Sequence, residues 1–329
     1  MFNHVRKASI LVAAVSVFSF AALSLAGPAA QAQSVTWKRL FPKKSPSPRA
    51  FSAMAYDPVS KKTVLFGGLN ASSYLNETWT FNGTTWTKKK TSVAPSARAS
   101  AFMAFDQKTR KLVLFGGFDG TNFLGDTWVW DGATSRWKQA HPFSSPTPVA
   151  GPMLFTDPKD GHVDEFGGYD GMFQLDTWRW TGKNWTQLQP TGVPGARAFA
   201  VAALDTARKN VVLFGGLGDV RTDNTWTWDG TNWTQMSPNS QPTTRYGAGS
   251  AFDPKLKEVV VFGGGVGGTD QDQTWAWTGT DWNQLSTPKF PAARESMGMA
   301  YDAASAQLLV FGGQGGKTIF NDTWKLIVH

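Results

Sequence analysis

The sequence lacks cysteine altogether and is poor in charged residues. Zero Cys excludes a disulfide framework, a zinc–thiolate centre, an iron–sulfur cluster and a cysteine nucleophile. Charged residues make up 17% of the 329-residue chain, where about 25% is usual in a soluble protein. Apolar residues reach 41% and aromatics 13%, which is enough to bury a core and argues against disorder. Packing alone must therefore stabilise this chain, and roughly 300 residues can supply it.

Long apolar runs are also missing, with one exception at the N-terminus. Arg6 and Lys7 precede an apolar stretch from Ile10 to Leu25, and Ala30-Gln31-Ala32 matches the small-x-small cleavage pattern of a secretory signal. We expect residues 1–32 to be removed after Ala32 and residues 33–329 to be secreted or periplasmic. No later run approaches the ~20 residues of a membrane span, so we expect no membrane insertion after cleavage.

A repeat dominates the rest of the chain. A Gly-Gly pair recurs at spacings of 49, 51, 48, 48 and 49 residues, at Gly67, Gly116, Gly167, Gly215, Gly263 and Gly312. Each pair follows an apolar run that ends in Phe, and a Thr-Trp dipeptide follows about ten residues later. A second Trp comes next, and an Arg stands twelve residues after it in most copies. A period near 50 residues is typical of a β-propeller blade.

Each repeat contains four short apolar runs separated by turn signals such as Asp57-Pro58 and Asn82-Gly83. Four antiparallel strands repeated six times predict an all-β, six-bladed propeller. The first strands are rich in Ala and Gly and should lie innermost. The last repeat lacks its second Trp, whereas Trp37 stands twelve residues before Arg49, so we expect residues 35–40 to complete the last blade.

The pattern of Arg, apolar strand, apolar-Phe-Gly-Gly, Asn/Asp-Thr-Trp and Trp resembles the kelch repeat from Trp37 to Trp324. The resemblance implies a single kelch propeller over residues 33–329. Its blades should cover about 49–90, 98–140, 149–189, 197–236, 245–285, and 294–326 with 35–40.

Five repeat arginines stand at the start of the innermost strands, which places them around one mouth of the central channel. We predict that they bind an acidic or anionic ligand or a protein, as kelch substrate adaptors do with arginines at similar positions: Arg49, Arg98, Arg197, Arg245 and Arg294. The alternative is that a residue present in nearly every repeat belongs to the repeat structure. The variable loops after Gly-Gly should add Tyr74, Phe123, Tyr169 and Arg221 to this face.

The third repeat departs from the pattern. It has Val149 in place of Arg, and Asp164-Glu165 where the others have apolar pairs such as Val64-Leu65. A charged pair in a doubly buried strand is costly unless it is matched or functional. Either Glu165 is an acid/base or ligand-reading group, or the blade has diverged and the carboxylates pair with Lys159 or Arg179.

Three functions remain open at this level. The first is a secreted, monomeric, non-catalytic propeller that binds a protein or an anionic ligand, with no cofactor, metal or nucleic acid. The second, implied by resemblance to the periplasmic sialic-acid mutarotase, is a sugar-acid enzyme using Glu165, Arg49 and Arg98. The third is a structural module of an envelope assembly. Copper-radical oxidases of the kelch class need a Tyr–Cys crosslink, which a chain without Cys cannot form.

Overall fold

The computed structural model describes residues 34–219 and 222–329, and the expected signal at residues 1–32 lies outside that range. Regular structure in the described residues is entirely β. No helix there is long and apolar enough to cross a membrane. The strands are β1 (Val35–Leu40), and then in blade 1 β2 (Ala53–Asp57), β3 (Lys62–Phe66), β4 (Thr78–Phe81) and β5 (Trp86–Lys89). Blade 2 contains β6 (Phe102–Asp106), β7 (Lys111–Phe115), β8 (Thr127–Asp131) and β9 (Arg136–Ala140).

The next two blades follow the same plan. Blade 3 contains β10 (Met153–Thr156), β11 (Val163–Phe166), β12 (Thr177–Trp180) and β13 (Trp185–Leu188). Blade 4 contains β14 (Val201–Asp205), β15 (Asn210–Phe214), β16 (Thr225–Trp228) and β17 (Trp233–Met236). All are antiparallel meanders, as the turn signals predict.

The last two blades each carry an extra two-stranded hairpin. Blade 5 contains β18 (Gly249–Asp253), β19 (Glu258–Phe262), the hairpin β20 (Gly265–Val266) and β21 (Thr269–Asp270), then β22 (Thr274–Trp277) and β23 (Trp282–Leu285). Blade 6 contains β24 (Gly298–Asp302), β25 (Gln307–Phe311), the hairpin β26 (Gln314–Gly315) and β27 (Thr318–Ile319), and β28 (Thr323–Val328). Its outer strand is β1, in antiparallel register with Trp37 opposite Leu326.

The six first strands contact one another in a closed cycle, β2–β6–β10–β14–β18–β24 and back to β2. The prediction of an all-β, six-bladed propeller is therefore confirmed. Small residues suit this innermost position because strands are most crowded near the axis. The second strands are buried on both faces between neighbouring blades, which explains their continuous apolar runs.

Neighbouring blades are joined by a recurring tryptophan–threonine hydrogen bond. The indole Nε1 of each fourth-strand Trp donates to the Thr that opens the third strand of the preceding blade, as Trp86 does to Thr323 at 3.0 Å. Trp37 makes the same bond to Thr274, at 2.9 Å. These indoles are almost fully buried, so the Thr-Trp and second Trp of the repeat are the two halves of one inter-blade contact.

A second connection surrounds the axis. Six residues that precede the first strands adopt left-handed backbone conformations with φ between 57° and 64°: Phe51, Ser100, Gly151, Phe199, Gly247 and Ser296. Each backbone N–H donates to the carbonyl of its counterpart one blade earlier, at 2.6–2.9 Å, and Phe51 donates to Ser296. The hydrogen bonds form an unbroken ring, which offsets the cost of holding non-glycine residues at positive φ.

Candidate ligand-binding face

The end of the propeller that carries the repeat arginines is called the loop face here. It consists of the connections between second and third strands, at 67–77, 116–126, 167–176, 215–219 with 222–224, 263–273 and 312–322, and the residues before each first strand. Backbone hydrogen bonds join the two sets, for example from Arg98 N to Leu75 O at 3.0 Å. The variable loops of this end are therefore hydrogen-bonded to the residues before the first strands, which recur in each blade.

The repeat arginines do not form an open ring on the loop face. All five are 0–1% exposed. In Arg98, Nε donates to Ser96 O, Nη1 to Gly116 O at 3.1 Å, and the two terminal nitrogens to Asp126 at 2.5 and 2.8 Å. Arg49, Arg197, Arg245 and Arg294 repeat this arrangement with Glu77, Asn224, Gln273 and Asp322 as the side-chain partners.

Burial and partner type set the charge balance of these sites. Burial works against ionisation of Glu77, but bonds from Lys88, Arg49 and Trp79 outweigh it and lower the pKa of Glu77 to about 2. Where the partner is an amide, burial lowers the pKa of Arg197 and of Arg245 to about 10. Each guanidinium group is hydrogen-bonded to the loop of its own blade and holds that loop in place.

This burial corrects the interpretation of an arginine-lined opening and favours the alternative that the arginines belong to the repeat. Ligand binding by Arg49, Arg98, Arg197, Arg245 or Arg294 stays a prediction, and it would require displacement of the contacts that hold each loop. Arg221 lies outside the described residues. The enzyme hypothesis meets a similar difficulty, since Arg49 and Arg98 are held by Glu77 and Asp126 of their own blades while Glu165 is buried in blade 3.

The loop aromatics, in contrast, come together. Tyr74, Phe118, Phe123, Tyr169 and Phe173 form a continuous series of ring contacts across blades 1 to 3, called here the aromatic stripe. Successive ring centroids are 6.0, 5.2, 5.8 and 5.0 Å apart. All five rings are half-buried, so each keeps part of its surface open. Aromatic contacts of this kind are typical of binding surfaces.

A glycine fixes one end of the aromatic stripe. Gly120 has φ of 103°, and a Cβ at that position would lie 2.7 Å from the ring of Tyr74. The ring can therefore lie over the loop of the next blade only because Gly120 has no side chain. The stripe is built by loops of different blades that fit one another.

The central channel encloses about 430 Å³ and is lined mainly by apolar side chains of the six first strands, among them Met54, Met103 and Met299. Phe51 of blade 1 and Phe199 of the opposite blade 4 approach each other at its loop-face end, with ring centroids 6.4 Å apart. These two rings obstruct the end of the channel where the arginine ring was expected.

Blade 3 matches its Asp164 with a cation, as one of the two alternatives predicted. Arg179 binds Asp164 through Nε at 2.7 Å and Nη2 at 2.8 Å, and also contacts Asp157 at 2.6 Å and Asp160 at 2.9 Å. Trp228 of blade 4 donates to Asp164 at 2.9 Å. Burial raises the pKa of Asp164 to about 7 and the neighbouring Asp157 adds to the rise, while the bonds and charge of Arg179 oppose it only in part.

Glu165 is not matched in this way. Its side chain is 1% exposed, and none of the residues that the structure describes hydrogen-bonds to Oε1. Burial raises the pKa of Glu165 well above its ordinary value, and the nearby charge of Asp176 adds to the effect. The side chain faces blade 2 from the interior of β11, at a position where the other blades have Leu or Val.

Asp176 was missed in the sequence. It occupies the position of Glu77 and Asp126, directly before the Thr-Trp dipeptide, but its blade has Val149 in place of the arginine. No hydrogen bond or ion pair reaches its side chain from the described residues. The signal that could have found it is the 27- or 28-residue interval between each repeat arginine and its carboxylate or amide partner.

The closed cycle of six four-stranded blades, with buried arginines that tie the loops and aromatic loop residues above them, defines a β-propeller with one variable face. A family model for the kelch-repeats domain of the KLHDC2, KLHL20 and DRC7 type matches residues 29–216, more than half of the chain. The chain therefore belongs to the kelch-repeat family.

Comparison with solved structures gives the same fold. The protein described as "Structure of YjhT" matches with a TM-score of 0.66 and 16% sequence identity, and the match covers 88% of this chain and 99% of that chain. Identity at this level shows the fold alone. No curated protein sequence matches the chain.

Proposed function

We propose that this chain is an exported, non-catalytic binding module that recognises a protein partner through the aromatic stripe of its loop face. The observation that carries the proposal is the stripe itself, five half-buried rings in mutual contact across three blades. Kelch domains commonly mediate protein interactions, which supports the same direction. The signal-like residues 1–32 support export.

The charge of the face favours a protein over a small anion. The arginines that would attract an anion are enclosed within the blades. Exposed apolar residues border the stripe instead, with Met172 at 70% and Leu175 at 47% exposure. Rigid aromatic surface beside exposed apolar side chains on a pre-formed scaffold is the composition of an interface centre.

The test is affinity capture from the extracellular or envelope fraction of the native host. Wild-type protein should retain a partner that the double variant Tyr74→Ser, Phe123→Ser loses. Phe143→Ser is the matched control, because Phe143 is 92% exposed but lies outside the stripe. Circular dichroism of each variant checks that the propeller is intact.

Capture of the same partners by the wild type and the double variant would overturn the proposal. Loss of partners with Phe143→Ser alone would move the binding surface to the outer edge of the face.

A further inference from the structure

Blade 3 differs from the other blades at one buried position, where Val149 stands in place of the repeat arginine. In blades 1 and 2 a guanidinium is held by four kinds of group. These are the carbonyl and hydroxyl of a Ser two residues earlier, the carbonyl of the first Gly of the Gly-Gly pair, and a carboxylate before Thr-Trp. Blade 2 repeats these contacts around Arg98.

Blade 3 keeps all of those groups without the arginine. Thr147 stands at the Ser position, Gly167 at the first Gly and Asp176 at the carboxylate position. Blade 5 shows that Thr serves as well as Ser there, since Thr243 accepts from Arg245 through both its carbonyl and its hydroxyl. Val149 packs against Gly168 and is too short and apolar to reach Asp176.

A second change in the same blade adds negative charge. Glu165 replaces the aliphatic residue of the other blades and lies opposite Trp178 in the sheet. The Trp residues equivalent to Trp178 in blades 1 and 2 donate their indole N–H to the carboxylate two residues earlier, at 3.1 and 2.6 Å. Glu165 therefore lies in the neighbourhood of Asp176. It is buried, and its Oε1 receives no hydrogen bond within residues 34–219 and 222–329.

Both substitutions, the loss of the arginine and the gain of Glu165, reduce the positive charge at this position of blade 3. Loss of the arginine removes a positive charge, and gain of Glu165 supplies a carboxyl. Both changes lie beside residues equivalent to those that accept from a guanidinium in blades 1 and 2. Asp176 is half-buried on the loop face, so a group can approach it from outside. Tyr169 and Phe173 of the aromatic stripe belong to the loop that ends at Asp176.

We propose that blade 3 binds the guanidinium of an arginine side chain supplied by the protein partner, in the place that the repeat's own arginine occupies in the other blades. The partner's identity as a protein rests on the proposed function, whereas the guanidinium site itself does not. The ligand inserts beside the stripe and donates to Asp176, Gly167 O and Thr147. Blade 3 is thereby completed by its ligand.

Isothermal titration calorimetry with N-acetyl-arginine amide tests the site. N-acetyl-citrulline amide is the matched probe, because it keeps the shape of arginine without its charge. The wild type should bind the arginine compound and not the citrulline compound. Val149→Arg places the repeat's own guanidinium on Asp176 and should abolish binding while the protein remains folded.

Asp176→Asn is a milder second variant and should weaken the affinity at least about tenfold, since a charged hydrogen-bond acceptor is lost. Asp119→Asn, which changes a half-buried residue in the blade 2 loop of the same face, should leave the affinity unchanged. No binding by the wild type, equal binding of arginine and citrulline compounds, or unaltered affinity in Val149→Arg would each overturn the site.

The same variants separate this inference from the proposed function. A captured partner lost with the stripe variant but retained by Val149→Arg would preserve the proposed function and overturn the arginine recognition. Arginine-compound binding that disappears in Val149→Arg, in a protein for which the stripe has no partner, would preserve the guanidinium site alone.

Discussion

Blade 3 differs from the blades that keep the repeat arginine in which charged side chains it buries and in where they lie. Blades 1, 2 and 6 bury a guanidinium at the loop face and match it with one carboxylate. Blade 3 has no arginine there, and it buries Asp164 and Glu165 in β11 instead. Arg179 on the adjacent strand binds Asp164, and no cation among the described residues binds Glu165. Blade 3 therefore keeps the four-stranded sheet of the other blades without the repeat arginine and with a different set of buried charges.

The largest expected effect comes from imposing the blade 3 change on a regular blade. Arg98→Met removes a fully buried cation. It leaves Ser96 and Gly116 O without their guanidinium donor, and Asp126 with only the indole N–H of Trp128. The free energy of unfolding should fall by about 3–5 kcal/mol, because one partner of a buried pair is left behind. Urea denaturation measures it.

Arg136→Met is the control, since Arg136 is exposed at the start of β9, and it should change the stability by less than about 0.5 kcal/mol. A loss below 1 kcal/mol for Arg98→Met would mean that the repeat arginines are dispensable in every blade.

A somewhat smaller loss is expected inside blade 3. Arg179→Met deprives Asp157, Asp160 and Asp164 of their shared cation, and should cost about 2–4 kcal/mol at pH 8. The cost should shrink as the pH falls below 7, because Asp164, whose pKa is already raised to about 7, can be buried in its protonated form. Thermal unfolding from pH 5 to pH 8 checks both the size and the trend, and a loss that does not vary with pH would contradict the assignment.

The smallest effect has the opposite sign. Glu165→Leu restores the aliphatic residue of the other blades and should stabilise the protein by about 1–3 kcal/mol at pH 8, because an unpartnered buried carboxyl is removed. The folded pKa of Glu165 lies above its unfolded value, so its contribution is most favourable below pH of about 4.5 and is lost as the pH rises.

Glu165→Gln separates charge from shape. It should remove the pH dependence that Glu165 causes without the packing gain of leucine. Greater stability of the wild type than of Glu165→Leu at pH 8 would show that the carboxyl has a partner within the protein.

Most of this fold can be predicted from the sequence, whereas fewer of the side-chain contacts on the loop face can. Regular Gly-Gly and Trp spacings determine six blades, and the strand compositions give their order from the axis outwards. The pairing of Asp164 with Arg179 is also within reach, since the two are directly opposite in β11 and β12. Burial of Arg49 and its equivalents is harder to predict, because their register places them at the mouth whether they point outwards or into the blade.

The aromatic stripe shows a different limit. Tyr74, Phe123 and Tyr169 can be assigned to the loop face from the repeat alone, because the loops containing them follow the Gly-Gly pairs. Their contacts depend on loop conformations that the repeat does not determine, such as the ring of Tyr74 crossing Gly120. The missing arginine partner of Asp176 can be recognised only when the arginine and its carboxylate or amide partner are compared across all six repeats. The sequence of blade 3 alone does not reveal it.

The backbone ring around the axis has a consequence for where the chain can begin. Its bond between Phe51 and Ser296 joins the first and last blades with the same geometry as the five bonds inside the chain. Within the described residues, blade 6 differs from the other blades because its fourth strand, β1, precedes blade 1 in the sequence and pairs with β28. A circularly permuted protein whose new termini lie between any two blades should therefore keep all six axial hydrogen bonds.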